Sequence, residues 1–287
     1  MGETILDTEV LSTRHDLAKV VGRLKKENKT IGVVPTMGAL HDGHLSLVRE
    51  SLKQADETIV TVFVNDLQFS PSEDLGKYPR TLESDIEKLK SEGVRYVFAP
   101  TKEEVYPPGF STSIVPPVVA KKLEGEFRAT HFAGVVTVVL KLLNLTQADK
   151  AFFGQKDFQQ AVVIKQMVAD LNVPTEIIVC SIVRDDDGLA LSSRNVYLSQ
   201  EERSIALSLN KTLEHVAEQL KSGQRDGFEL ITEMRQMLID AGVENIDYAV
   251  VADPITLETV DPVKLPVVAL IAAHVGKTRL IDNRLFT

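Results

Sequence analysis

The sequence predicts an α/β protein in two parts: a parallel-sheet domain over residues 1–184, followed by a smaller α+β C-terminal domain over residues 185–287. Three observations predict it. Up to residue 184, short runs rich in Val and Ile alternate with segments of helical periodicity, the pattern of strands joined by crossover helices. Beyond it, two polar amphipathic stretches precede two further apolar runs. Between the halves, Asp185-Asp186-Asp187-Gly188 is a polar break directly after an apolar run.

In chain order, strands are expected at residues 30–35, 58–64, 95–99, 150–153 and 176–183, each bounded by polar residues or proline. Leu45, Val48, Leu52 and Ala55 share one helical face, as do Ile86, Leu89 and, less regularly, Leu82. Residues 135–145 are apolar almost all round yet too short to span a bilayer, so a buried helix is expected there. Helices at 199–222 and 226–241 then precede antiparallel strands at 245–252 and 267–274. A parallel sheet binds ligands beyond the carboxyl ends of its strands, so the segments that follow strands carry the chemistry.

The 287 residues are 44% hydrophobic and 25% charged, ordinary values for a globular chain. Lys and Arg total 32 against 41 Asp and Glu, and the net charge of −9 argues against a nucleic-acid binder. An anionic ligand must then be held by a few local cations and backbone amides. Cys180 is the only cysteine, which excludes an intramolecular disulfide and a cysteine zinc cluster. Its apolar surroundings suggest an inert thiol. No apolar leader opens the chain and Gly2 does not begin a convincing lipidation site, so a cytoplasmic location is expected.

The segment after the first predicted strand is Pro35-Thr36-Met37-Gly38-Ala39-Leu40-His41-Asp42-Gly43-His44. Gly38 permits a tight turn, and Gly43 a close approach of backbone to ligand. His41 and His44 are three apart at a helix start and share a face. Free amides and a partial positive charge already favour anions there. Two imidazoles added to them suit triphosphate oxygens, although a pair of surface histidines is the plainer alternative. No third ligand of suitable type lies nearby, which argues against a metal site.

Three further segments stand at comparable places. Gly154-Gln155-Lys156-Asp157-Phe158-Gln159-Gln160 follows the 150–153 strand; Lys156 offers a point charge, and Asp157 either accepts from ribose hydroxyls or caps a helix. Phe63-Val64-Asn65-Asp66-Leu67-Gln68-Phe69 closes the 58–64 strand, and its neutral amides can orient a hydroxyl and a carboxylate, or satisfy a turn. Leu191-Ser192-Ser193-Arg194-Asn195 follows the last strand after Val183. Serine hydroxyls and an arginine fork suit phosphate, but alone this string also reads as a turn.

Together the four segments resemble the HIGH-motif nucleotidylyl-transferase superfamily, whose fold is a Rossmann-like parallel sheet, and within it the pantothenate synthetase family. The resemblance runs from about residue 28 to 203 and continues more loosely to the C-terminus. It implies that Met37, Gly38, Ala39, Leu40, His41, Asp42, Gly43 and His44 bind ATP with Gly154, Gln155, Lys156 and Asp157. Val183, Leu191, Ser192, Ser193 and Arg194 then stand for the KMSKS loop, carried by a C-terminal lid, and His41, His44 and Lys156 are the catalytic candidates. By the same resemblance Gln68 binds pantoate and later β-alanine, Asn65 faces the substrates, and Gln160 binds pantoate. Arg128 matches a family arginine near the nucleotide side and joins this substrate group, or is a surface residue paired with Glu124 or Glu126. Tyr78-Pro79-Arg80-Thr81 is a further match. Asp85 is the candidate ligand of a Mg²⁺–phosphate complex, or a solvated acid on a helix face.

Departures from the family pattern are Asp66 for proline, Leu191 for methionine and Val196 for glycine. Asp66 is expected to place an anion near a carboxylate substrate, and Val196 to stiffen a loop that must close. The implied activity is ATP-dependent joining of pantoate to β-alanine through an adenylate, with Mg²⁺, in a homodimer. Its rivals are a nucleotidylyltransferase acting on a small phosphorylated substrate, a fragment of an aminoacyl-tRNA synthetase, and a non-catalytic nucleotide sensor. More arginines in place of Gln68 and Gln160 would favour the first, and a basic face the second.

Overall fold

Parallel strands form where Val- and Ile-rich runs are buried on both faces, because helices cover each side and leave no polar face to alternate. The computed structural model describes residues 7–69, 76 and 80–287; Gly2, Tyr78 and Pro79 lie outside the described residues. In chain order the first part comprises β1 (Glu9–Leu11), α1 (Arg14–Lys26), β2 (Ile31–Thr36), α2 (Asp42–Gln54), β3 (Glu57–Val62) and α3 (Leu82–Ser91). It continues with β4 (Tyr96–Phe98), α4 (Lys102–Val105), α5 (Glu124–Phe127), α6 (His131–Thr146), β5 (Lys150–Gly154), α7 (Phe158–Asp170) and β6 (Glu176–Cys180). The predicted strand at 176–183 therefore leaves the sheet at Cys180.

All six strands run parallel in the order β1-β4-β3-β2-β5-β6. From β2 the chain winds one way through β3 and β4, then crosses back to β5 on the other side. The crevice at the carboxyl ends of β2 and β5 is thus a topological switch point, the place where such sheets bind ligands. One face packs Leu17, Val21, Val136, Leu143 and Ile164 from α1, α6 and α7. The other packs Leu45, Val48 and Leu89 from α2 and α3 against Val34 and Phe152. The apolar stretch at 135–145 lies inside α6, whose buried residues occur all round the helix.

The second part holds α8 (Gln200–Ser222), α9 (Gly227–Asp240), β7 (Asn245–Ala252), β8 (Val267–Val275) and β9 (Thr278–Phe286). Its strands form an antiparallel sheet, β7-β8-β9, with α8 and α9 packed on one face through Leu209, Leu213, Leu230 and Met234. Helix α8 begins at a capping box in which Ser199 and Glu202 accept each other's backbone amides.

Polar clamps from β9 join the parts. Asn283 donates to the carbonyls of Gln155 and Lys156 at 3.0 and 2.9 Å. Arg279 donates to both oxygens of Glu124 at 2.7 and 2.8 Å and to Asp247 at 2.7 Å. The arginine beside it holds the Glu124 carboxyl below the usual carboxylate range although burial opposes this. No described helix is long and apolar enough to cross a membrane.

Candidate active site

A cavity of about 1240 Å³ opens at the switch point and reaches across to the second sheet. Its first wall is the loop from β2 into α2. Gly38 and Ala39 take positive φ, +85° and +51°, so the chain turns sharply here. Asp85 of α3 holds the turn: Ala39 N–H donates to its Oδ2 and Leu40 N–H to its Oδ1, both at 2.9 Å, and Thr81 Oγ1 adds a third bond at 3.0 Å. Asp85 is fully buried and does not line the cavity. This corrects the expectation of a solvated acid: the carboxylate is buried and its oxygens accept from backbone amides.

The loop meets the cavity through part of its length. Met37, His41, Gly43 and His44 line the cavity, whereas Gly38, Ala39, Leu40 and Asp42 do not. Amides of Ala39 and Leu40 are committed to Asp85, and Gly38 N–H points to Thr36 Oγ1 at 3.3 Å. Leu40 is buried in the core, and Asp42 turns outward toward Arg49 at 3.4 Å.

His41 and His44 cap their own helix. His41 Nδ1 accepts from Gly43 N–H at 3.1 Å, and His44 Nδ1 accepts from His41 N–H at 3.3 Å. Each Nδ1 is thus an acceptor and each Nε2 carries the proton. Burial, then the neighbouring His41 and Lys156 charges, push His44 down to about 3. Burial and Lys156 lower His41 as well. In the ligand-free site the pair consists of neutral N–H donors.

The second wall follows β5. Gly154, Lys156, Asp157 and Gln160 line the cavity. Gln155 does not: its amide donates to Asn283 of β9 at 3.2 Å, so it serves the clamp between the parts. Asp157 is exposed and makes no capping hydrogen bond to α7, leaving its carboxylate at the cavity edge. Gln159 is buried and spent on Glu124 N–H and the carbonyls of Val119 and Lys122.

At the third wall, both Asn65 and Gln68 line the cavity. Asn65 is 1% exposed and bonds Tyr106, Gln68 and the Gly134 carbonyl, so most of its side chain is held by these partners. Asp66 turns away to Lys102 and is not at the cavity, which corrects the anion expected beside a carboxylate. Arg128 lines the cavity, 3.2 Å from His131 Nε2 and 3.9 Å from Glu124.

Val183, Leu191, Ser192, Ser193 and Arg194 complete the fourth wall. Leu191 N–H donates to Val183 O at 3.0 Å, and Ser192 accepts from Arg194 N–H at 3.2 Å. Arg194 is exposed at the rim, and Val196 is 79% exposed. Tyr106, His131, Glu124 and Arg279 were not singled out for these roles from sequence; they meet their partners only through long-range packing.

This fold, with a histidine-capped helix after the second strand and the Ser-Ser-Arg loop after the sixth, is that of the HIGH-motif nucleotidylyl-transferases. A family model described as Pantoate-beta-alanine ligase matches residues 9–285. The chain belongs to that family. It is 47% identical over 274 residues to a pantothenate synthetase of Caldicellulosiruptor bescii, covering 96% of this chain and 97% of the relative. It is 50% identical over 253 residues to that of Roseiflexus castenholzii, covering 88% and 91%. Among solved structures, pantothenate synthetase from Thermus thermophilus superposes with a TM-score of 0.91 at 39% identity, over 96% of this chain and 99% of that one. A pantoate-beta-alanine ligase from Francisella tularensis, solved with "Beta-gamma ATP and Beta-alanine", gives 0.81 at 35% identity over 97% and 98%.

Proposed function

We propose that this enzyme condenses (R)-pantoate with β-alanine at the expense of ATP, giving pantothenate, AMP and pyrophosphate through a pantoyl adenylate. The observation that carries this is the sorting of polar groups within one cavity. Lys156, Arg194, two serines and two imidazole N–H donors line the first, second and fourth walls, while neutral amides come from Gln68 on the third wall and from Gln160 in the first turn of α7. The first set suits a triphosphate, and the second a hydroxy acid whose carboxylate must stay nucleophilic.

A free carboxylate does not acylate an amine, because oxide is not a leaving group. In the first step a pantoate carboxylate oxygen attacks the α-phosphorus and the bond to the bridging oxygen breaks, releasing pyrophosphate. His41, His44, Lys156, Ser192, Ser193 and Arg194 donate to the charge that builds on the phosphates. Gln68 and Gln160 hold pantoate for in-line attack. The β-alanine amine then attacks the acyl carbon, the carbon–oxygen bond to phosphate breaks, and AMP leaves with the amine proton passing to solvent. No side chain acts as a covalent nucleophile.

No group of three or more His, Cys, Asp or Glu able to hold a metal occurs among the described residues, and Asp85 is occupied. In this reading Mg²⁺ accompanies ATP, held by phosphate oxygens and water. The division at 184/185, the lid role of the second part, a homodimer and a cytoplasmic location are further parts of it. They rest on the Asp185–Gly188 break and on family expectation.

Exchange of labelled pyrophosphate into ATP, given pantoate and Mg²⁺ without β-alanine, tests the reaction. Exchange is expected because adenylation needs no amine. A folded, ATP-binding protein without pantoate-dependent exchange would refute the stepwise mechanism. A nucleotide sensor would show none, and a tRNA-synthetase fragment would require an amino acid instead.

A further inference from the structure

We propose that Tyr106 is a positioning residue for Gln68, and that through Asn65 it dictates which end of the Gln68 amide meets the acyl substrate. This rests on the reading that Gln68 orients the hydroxy acid. Tyr106 is 8% exposed, and its hydroxyl donates to Asn65 Oδ1 at 2.8 Å. Burial and the Asp66 charge keep the phenol protonated, so it has a hydrogen to donate in this bond. Asn65 Nδ2 donates to the Gly134 carbonyl at 3.2 Å and to Gln68 Oε1 at 3.1 Å. A backbone carbonyl accepts and never donates, so Gly134 fixes the NH₂ end of the Asn65 amide and its Oδ1 is left to meet the Tyr106 hydroxyl.

One direction of donation follows along the whole chain of groups. Gln68 Oε1 is spent on Asn65, and its NH₂ is left to face the weakly accepting Met37 sulfur at 3.1 Å and the cavity. Gln68 then turns its NH₂ donors toward the cavity. It fits a carboxylate or hydroxyl oxygen and meets an ammonium group with repulsion, which favours the acid over the amine at this subsite. The backbone beneath is equally fixed. His131 Nδ1 lies 3.0 Å from Gln68 O, and a Cβ on Gly134 would stand 2.3 Å from Leu67 O and 2.5 Å from Gln68 N. Only glycine lets α6 come that close.

Tyr106→Phe removes the hydroxyl and keeps the ring that packs against Phe63 and Phe110. Calorimetric Kd values for pantoate and for ATP, in the wild-type and Gln68→Ala backgrounds, test the proposal. Tyr106→Phe is expected to weaken pantoate by about tenfold, the worth of one buried hydrogen bond, and to leave ATP within about twofold. In the Gln68→Ala background it should have no further effect, because the two residues act as one unit. Asn65→Asp, which cannot donate to Gln68, should reproduce the pantoate loss. An unchanged pantoate Kd in both Tyr106→Phe and Asn65→Asp overturns the proposal. So does a Tyr106→Phe loss of equal size in the two backgrounds, or an equal loss for ATP. Absence of pantoate binding by the wild-type enzyme would overturn the functional reading itself, and this proposal with it.

Discussion

His44 Nδ1 accepts the backbone amide of His41 at 3.3 Å, with the two rings 4.1 Å apart, so one histidine both caps the helix and aligns the other. His44→Ala loses the Nε2 donor and the cap together; His44→Asn keeps an acceptor for the His41 amide and loses only the donor. Both are expected to lower kcat about 100-fold, more than they raise the KM for ATP. Asn should melt at a higher temperature than Ala, by a cap's worth of about 1 kcal/mol. Steady-state kinetics and calorimetry on the two variants separate the roles, and near-normal kcat in either removes His44 from the chemistry.

A pH dependence follows from the same pair. His44 has its folded value depressed from 6.5 to about 3, so below pH 6.5 the unfolded chain takes up a proton that the folded one refuses. Its contribution to stability is complete above 6.5 and is lost as pH falls toward 3, by up to about 1.4 kcal/mol per pH unit. His41 shifts the same way and adds to the slope. Urea unfolding of the ligand-free enzyme between pH 7 and about 5, above most carboxylate titrations, should show falling stability, with a shallower slope in His44→Asn.

Asp85→Asn distinguishes a loop holder from a metal ligand. An asparagine supplies one accepting oxygen where two amides and a hydroxyl now donate, and its NH₂ would face an N–H. A loss of about 3 kcal/mol in stability is expected. Activity should fall with it, and excess Mg²⁺ should not restore it. Restoration by Mg²⁺ with unchanged melting would return Asp85 to the metal.

Asp66→Pro is expected to leave the KM for pantoate within about twofold, since Asp66 faces Lys102 and its Oδ1 is buried without a partner. Asn65 sits at φ −89°, ψ 103°, a conformation that a following proline accepts. Removing an unsatisfied oxygen and stiffening the unfolded chain should offset the lost surface ion pair, so melting should not decrease. A clear rise in pantoate affinity would mean that the carboxylate reaches the subsite after all.

The parallel strands and the ligand-facing segments could be read from the sequence because both depend on local signals: unbroken Val and Ile runs, and glycine or histidine directly after them. Strand β9 could not. Its buried Asp282 and Asn283 interrupt the apolar pattern, since they bond Arg184, Gln155 and Lys156 rather than the core. The Asp85 staple joins residues 45 and 46 positions apart, and Tyr106 meets Asn65 across 41, separations at which no periodicity speaks. The mutual capping of two histidines was half visible. Their spacing is that of a capping box, but that rule looks for serine or threonine and glutamate.

The Asp85 staple has a consequence for hydrogen exchange. Because Ala39 and Leu40 N–H are bonded to a fully buried carboxylate before any ligand arrives, the β2–α2 turn is already part of the folded scaffold. Deuterium uptake at these two amides should be slow in the free enzyme and little changed by ATP. The exposed 3-10 turn at Ser193–Tyr197 should slow on nucleotide addition. If the exchange data follow this pattern, the entropy of assembling the site is divided unequally, with one wall ordered during folding and the other ordered further by the nucleotide.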